Sequence, residues 1–414
     1  MQEGTTNPEP ELTRRAPARP PRVAYFPDSF HEVNGVAHTS RNFVAYAQRH
    51  RLPFLCVRAG KTNPQPDPAS TVQTLELPRG FASVGIEKDL AFDPLFGRHL
   101  TRVERELIRF KPDIIHITGP SELGLLGAWF ASELGVPLAA SWHTNVHEYA
   151  ARRLSWLTSR LPARQASLAE ARVESATLWT TAHLYRLAKV LFAPNRELCD
   201  LLEHATHRPC HLMQRGVDTA LFSPARRTRP TSSGKLVLGY VGRLSIEKNV
   251  ALLPLLERQL ADLGIHDVQF LIIGHGSEEA SLRAALPAAK AEFAGVLRGE
   301  ALSTAYANMD LLVFPSHTDT FGNVVLEALA SGVPAIVTPG GGPKYIVQQG
   351  ETGFIAPDEG FTSAIATLAK DPSLLHRMRE NARAYALTCS WDAVFHRVYD
   401  AYQTALRTSF DHGT

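Results

Sequence analysis

Residues 310–340 read DLLVFPSHTDTFGNVVLEALASGVPAIVTPG. An apolar run, Leu311 to Pro315, gives way to a polar turn, then from Asn323 to a segment of helical period, and at Pro334 a second apolar run begins. Strand, helix and strand following one another in about 30 residues make the unit from which parallel sheets covered by helices are built. The same alternation precedes it, with KLVLGYVG at 235–242 and VQFLIIG at 268–274. It also runs through the first half, where VAYF at 23–26, PFLCV at 53–57, DIIHI at 113–117, PLAASW at 137–142 and VLFAP at 190–194 read as buried strands. Two α/β domains follow from this pattern, and a chain of 414 residues has the length for them.

The junction is marked by composition. SPARRTRPTSSGK, 223–235, concentrates Pro, Ser, Gly and basic residues and reads as a linker. The expected organisation is a disordered tail over 1–21, a first domain over 22–214, a linker over 215–234 and a second domain over 235–378. Helices over 379–414, with no sheet of their own, are expected to pack back on the first domain.

Charge and cysteine usage narrow the function. With 43 basic and 41 acidic residues the formal charge is +2, which argues against a nucleic-acid partner, since phosphate binding calls for a dominant basic field. Cys56, Cys199, Cys210 and Cys389 are far apart and show no CxxC spacing, so neither a disulfide framework nor a zinc site is expected, and a reducing, cytoplasmic compartment fits. The first residues, rich in Pro and charge, hold no apolar run of signal-peptide type, and no stretch approaches ~18 consecutive apolar residues.

The turn at 317–323 carries chemistry. Asp319 lies in the loop, and Glu327, eight residues on, in the helix. Phe321, Gly322 and Asn323 make the turn between them: glycine lets the backbone approach a ligand, and the N–H groups of the first helical turn suit a phosphate or sugar oxygen. A carboxylate within the helix can accept both hydroxyls of a ribose. A second loop, GRLSIEKN at 242–249, follows a strand and supplies Gly242, Arg243 and Lys248. Two cations at the carboxyl end of a strand neutralise a diphosphate that would otherwise leave poorly. Gly274 and Gly276 form only a lone GxG, and no GxGxxG follows the first strand, which counts against a dinucleotide-dependent dehydrogenase.

Together these segments resemble family 4 of the glycosyltransferases: 317–334 is similar to its acidic EX7E motif, with Asp319 in place of the first Glu, and 242–249 to its Arg/Lys pair. PDSFHEVNGVAHTSRN at 27–42 resembles the family's first loop, WHTNVHEYA at 142–150 its HT motif, and RGVDTALFSP at 215–224 its hinge-proximal signature. The resemblance runs from about Arg22 to residue 400. It implies the GT-B architecture, an α/β fold of two Rossmann-like doubly wound domains facing across a cleft, and a hexosyltransferase that retains anomeric configuration. Arg243 and Lys248 would then stabilise the departing diphosphate, and His143 would hydrogen-bond the sugar near its anomeric carbon. Asp319 would position sugar hydroxyls, Glu327 the ribose, and Asn34, Gly35 and Val36 would approach the donor phosphate and the reacting sugar.

No D-x-D triplet occurs, so the carboxylate pair that commonly holds a divalent ion on a donor is missing; no metal and no cofactor are expected. The flavour of TDTFGNVVLEA and GGGPKYIV resembles mannosyl- and glucosyltransferases, favouring GDP-mannose as donor, with UDP-glucose next. YAARRLSWLTSRLPAR at 149–164 carries Arg152, Arg153, Arg160 and Arg164 around Trp156 without an acid. Such a segment suits an anionic membrane surface and a lipid or glycan acceptor, with the protein peripheral on the inner face of the membrane; a core helix with a basic outer face is the competing reading. A GT-B nucleotide-sugar 2-epimerase would need carboxylates for proton abstraction at C2, and the Arg/Lys and acidic motifs argue against it. A non-catalytic nucleotide-sugar-binding module would use the same cleft, and turnover separates it from an enzyme.

Overall fold

The computed structural model describes residues 19–32, 35–60, 69–80, 83–87, 90–93, 96–142, 182–230, 234–319 and 321–410. The chain divides into two compact units, one of Met1–Leu191 with Ala205–Pro209 and Tyr399–Thr414, the other of Phe192–His204 with Cys210–Val398.

The first sheet has seven strands. In chain order they are β1 (Val23–Phe26), β2 (Phe54–Ala59), β3 (Val72–Leu77), β6 (Ile114–Ile117), β7 (Leu138–Ser141), β8 (Val190–Ala193) and β9 (Cys210–Leu212); β4 (Val84–Glu87) and β5 (Leu90–Phe92) form a separate antiparallel pair. Across the sheet the order is β3-β2-β1-β6-β7-β8-β9. β1 lies parallel to both β2 and β6, with Val23 opposite Phe54 and Ile114, and all four of its residues are fully buried. Unbroken apolar strands of this kind are what a parallel sheet covered on both faces demands. Within this unit Tyr399 and Tyr402 of the helix Trp391–Phe410 reach the core, Tyr399 against Phe43 and Tyr46, Tyr402 against His116.

The second sheet comprises β10 (Leu236–Val241), β11 (Val268–Ile273), β12 (Ala291–Gly295), β13 (Leu311–Phe314), β14 (Ala335–Val337) and β15 (Gly353–Ile355), in the order β12-β11-β10-β13-β14-β15 and parallel throughout. Helices such as Leu252–Asp262 and Asn323–Ala330 bury their apolar faces on it. The chain runs outward from β10 to β12 and returns beside β10 as β13, so the strand order reverses between β10 and β13. At such a switch point the two following loops diverge to opposite faces and leave a crevice at the carboxyl ends of the strands, the usual ligand position in open α/β sheets.

Of the strands that sequence patterning does not predict, β3, β9, β12 and β15 are the edges of the two sheets. Edge strands are half solvated, so runs such as VQTLEL mix polar with apolar residues and lose the apolar signature. The basic stretch after Ser223 is pinned down: Arg227 and Arg229 pair with Asp310 at 2.9 and 2.8 Å, and Arg379 reaches the same carboxylate at 3.0 Å. Asp310 also accepts the Val237 N–H, and these donors hold its carboxyl below the usual range in spite of burial. Among the described residues no helix is long and apolar enough to cross a membrane.

Candidate active site at the second sheet's switch point

The loops after β10 and β13 meet. Beyond β10 the chain makes a single 3-10 turn, Ile246–Lys248, closed by Asn249 in the left-handed region at φ 53°. That turn carries Lys248 toward the β13 loop, where its Nζ lies 2.5 Å from Oδ2 of Asp319, both side chains about four-fifths buried at 18% and 25% exposure. Further bonds join the loops: Asn249 donates to Oδ2 of Asp358 at 2.8 Å, His317 meets the other oxygen of Asp358 at 3.0 Å, and the Thr318 hydroxyl donates to the Glu247 carbonyl at 3.3 Å. Asp319 and Lys248 are thus fixed against each other by a network, not by one long flexible contact.

The glycines at this end of the sheet allow backbone to touch backbone. A Cβ on Gly274 would stand 1.8 Å from the Gly242 carbonyl oxygen, so only glycine lets the loop after β11 close on the loop after β10. Gly322 caps the helix Asn323–Ala330 at φ 83°, and a Cβ there would meet Pro343 at 2.8 Å. The Gly340–Gly342 turn after β14 presses on the same place, with the Gly342 N–H donating to the Asp319 carbonyl at 2.7 Å.

Glu327 is half-buried on the helix that Gly322 caps. Tyr306, itself fully buried, donates its hydroxyl to Oε2 of Glu327 at 2.9 Å, and burial pushes the Glu327 carboxyl up to about 7 against the hydrogen bond's opposing effect. Arg243 is open to solvent, 72% exposed and 3.6 Å from Glu247. Phe321 lies under the guanidinium of Arg215, whose carbon stands 5.2 Å from the ring centre. Gly242, Arg243, Lys248, Asp319, Phe321, Gly322, Asn323 and Glu327 therefore all sit at or beside the β10–β13 switch point of one unit. Lys248 and Asp319 touch; Tyr306 and Asp358 are partners that sequence patterning does not single out.

In the other unit Gly35 and Val36 open the helix Gly35–Arg49, their carbonyls accepting from Thr39 and Ser40. That sheet has its own switch point between β1 and β6, occupied by Asp28: its N–H bonds Thr118, Ser121 donates to its carboxylate, and burial pushes its carboxyl up to about 7. Asp28 lies in the 27–42 stretch that resembles the family's first loop, directly after an apolar strand. Asn34, His143, Arg152, Arg153, Trp156, Arg160 and Arg164 lie outside the described residues.

Residues 33–221 match the profile described as Glycosyltransferase Family 4, and residues 223–385 that of Glycosyl transferases group 1. A GDP-mannose-dependent alpha-mannosyltransferase of Mycolicibacterium smegmatis is 32% identical over 93% of this chain and 98% of its own. Sulfoquinovosyl transferase SQD2 of Arabidopsis thaliana is 28% identical over 96% of this chain and 76% of its own. Among solved structures, sucrose-phosphate synthase from Thermosynechococcus elongatus superposes with a TM-score of 0.62 at 17% identity, covering 93% of this chain and 99% of that one. Anabaena HepE in complex with UDP gives 0.62 at 16% identity, covering 92% and 100%. Two parallel α/β sheets, these matches across nearly the whole chain and the acid and cation pattern at the second switch point converge: the chain belongs to glycosyltransferase family 4, a retaining hexosyltransferase of the GT-B fold that uses a nucleotide-sugar donor.

Proposed function

We propose that this enzyme transfers mannose from GDP-mannose, with retention, to a hydroxyl of a lipid or glycan, and that the donor occupies the switch point of the second sheet. The reading rests on the mannosyltransferase of Mycolicibacterium smegmatis, whose name specifies GDP-mannose and which aligns over 98% of its own length. In this reading Lys248 and Arg243 stabilise the diphosphate as its bond to the sugar breaks, Asp319 positions sugar hydroxyls while holding Lys248, and Glu327 accepts from the ribose. Gly242 and the Phe321-Gly322-Asn323 turn give the phosphates backbone to approach. Asn34, Gly35 and Val36 meet the reacting sugar and His143 the anomeric centre. The basic, apolar segment holding Arg152, Arg153, Trp156, Arg160 and Arg164 supports a lipid acceptor at an anionic surface.

A ligand that binds only the native state raises the melting temperature by mass action. GDP and GDP-mannose are expected to raise the Tm by several degrees at concentrations where UDP- and ADP-sugars do little; a shift confined to UDP-glucose would reassign the base. With cationic side chains in place of a D-x-D metal clamp, turnover is expected to persist in excess EDTA. Loss of turnover that added magnesium or manganese restores would count against the Lys248 and Arg243 assignment.

A further inference from the structure

The second unit holds a cavity of about 350 Å³ remote in sequence from the loops after β10 and β13, lined by Arg196, His211, Gln214, Tyr385, Cys389 and Arg397 among others. Its charge is one-sided. Two guanidiniums line it, together with the His211 imidazole, whose charged form burial disfavours, and among the described residues no carboxylate does.

Several other arginines of the unit are paired with an acid. Arg226 pairs with Glu300, Arg283 with Glu279, Arg243 with Glu247, and Arg227, Arg229 and Arg379 share Asp310. Arg196 and Arg397 have no carboxylate partner among the described residues. Arg397 spends one N–H on the Thr388 carbonyl at 3.0 Å, which fixes the plane of its guanidinium and leaves its other donors unassigned. Of the acids nearest in sequence to Arg196, Glu197 accepts from Tyr345 at 2.5 Å and Glu203 from the N–H of the lining residue Cys210 at 2.9 Å, and neither pairs with Arg196. The neutral lining is donor-rich. Gln214 brings an amide and Tyr385 a phenol, and the Cys389 thiol is held protonated because burial raises it.

Two cations bordering one recess repel each other and attract an anion. A guanidinium's fork of N–H groups matches the oxygens of a phosphate, and the planar Arg is suited to that geometry where Lys is not. The volume suits a small ligand. We propose that this cavity is a binding site for a small phosphate-bearing anion, held by Arg196 and Arg397 and separate from the donor site.

Titration calorimetry with inorganic phosphate on the full-length enzyme tests it. Saturable binding of one phosphate is expected, weakened at least tenfold in Arg196→Gln and in Arg397→Gln and unchanged within twofold in Lys248→Ala. Among the described residues the Arg196 side chain makes no hydrogen bond that its loss would break, so its variant decides the matter if Arg397→Gln is unstable. The proposal is overturned if phosphate does not saturate, if Arg196→Gln binds it like the wild type, or if Lys248→Ala alone abolishes binding, which would locate the phosphate at the donor site.

Discussion

Lys248→Ala is expected to lower kcat by about 10²–10³-fold, the usual cost of removing one pre-positioned charged donor from a developing negative charge. The ammonium is held 2.5 Å from Asp319 by a turn whose shape Asn249 fixes, so it is oriented before any donor arrives. Its removal has two consequences: the diphosphate loses a counter-charge, and Asp319 is left as a shielded carboxylate facing an anionic substrate. A double variant separates them. If the leaving group is the main cause, Lys248→Ala with Asp319→Asn stays as slow as Lys248→Ala alone; if the stranded carboxylate is, the double variant recovers most of the rate. Single-turnover kinetics with saturating donor would isolate the chemical step, and melting temperature measured alongside would report any loss of stability from the unpaired carboxylate. A near-normal kcat for Lys248→Ala would remove Lys248 from the mechanism.

The reach of sequence reading can be seen in this same pair. Lys248 and Asp319 can each be picked out alone, as a cation after one apolar strand and an acid after another. Their contact across 71 positions depends on β13 pairing with β10, a consequence of sheet order that no local pattern carries. Central strands are legible because burial on both faces makes them continuously apolar, as in Val23–Phe26; edge strands such as Gly353–Ile355 are half solvated and give no such run. Glu327 stands out by its spacing from Asp319, whereas Tyr306, its hydrogen-bond partner, sits at the end of the preceding helix, Gly299–Ala307, and looks like any other core aromatic. The glycines divide in the same way. Gly322 announces a turn, but the need for glycine at 274 arises from the Gly242 carbonyl of a different loop.

Glu327→Gln is expected to stabilise the protein at neutral pH while weakening donor binding, and the two effects have one origin. Burial raises the Glu327 carboxyl from its ordinary 4.5 to about 7, so between those values the folded chain holds a proton that the unfolded chain has released. A raised carboxyl contributes its full stability below about pH 4.5 and loses it as pH rises through 7. At about 1.4 kcal/mol for each pH unit between the folded and unfolded values, the loss by pH 8 is on the order of 3 kcal/mol. Glutamine is a neutral isostere that still accepts from Tyr306, so the variant should match the wild type near pH 4 and melt several degrees higher at pH 8. Ribose hydroxyls favour the ionised carboxylate that the empty fold disfavours; donor affinity of the wild type should therefore fall roughly tenfold per pH unit below about 7, since the proton competes with the ribose. In Glu327→Gln that slope should flatten, and the donor KM at pH 8 should rise about tenfold or more, the loss of a charged hydrogen bond. Equal melting temperatures for the two proteins at pH 8, or a donor KM unchanged by the substitution, would show that Glu327 is a structural carboxylate satisfied by Tyr306 and not a ribose ligand.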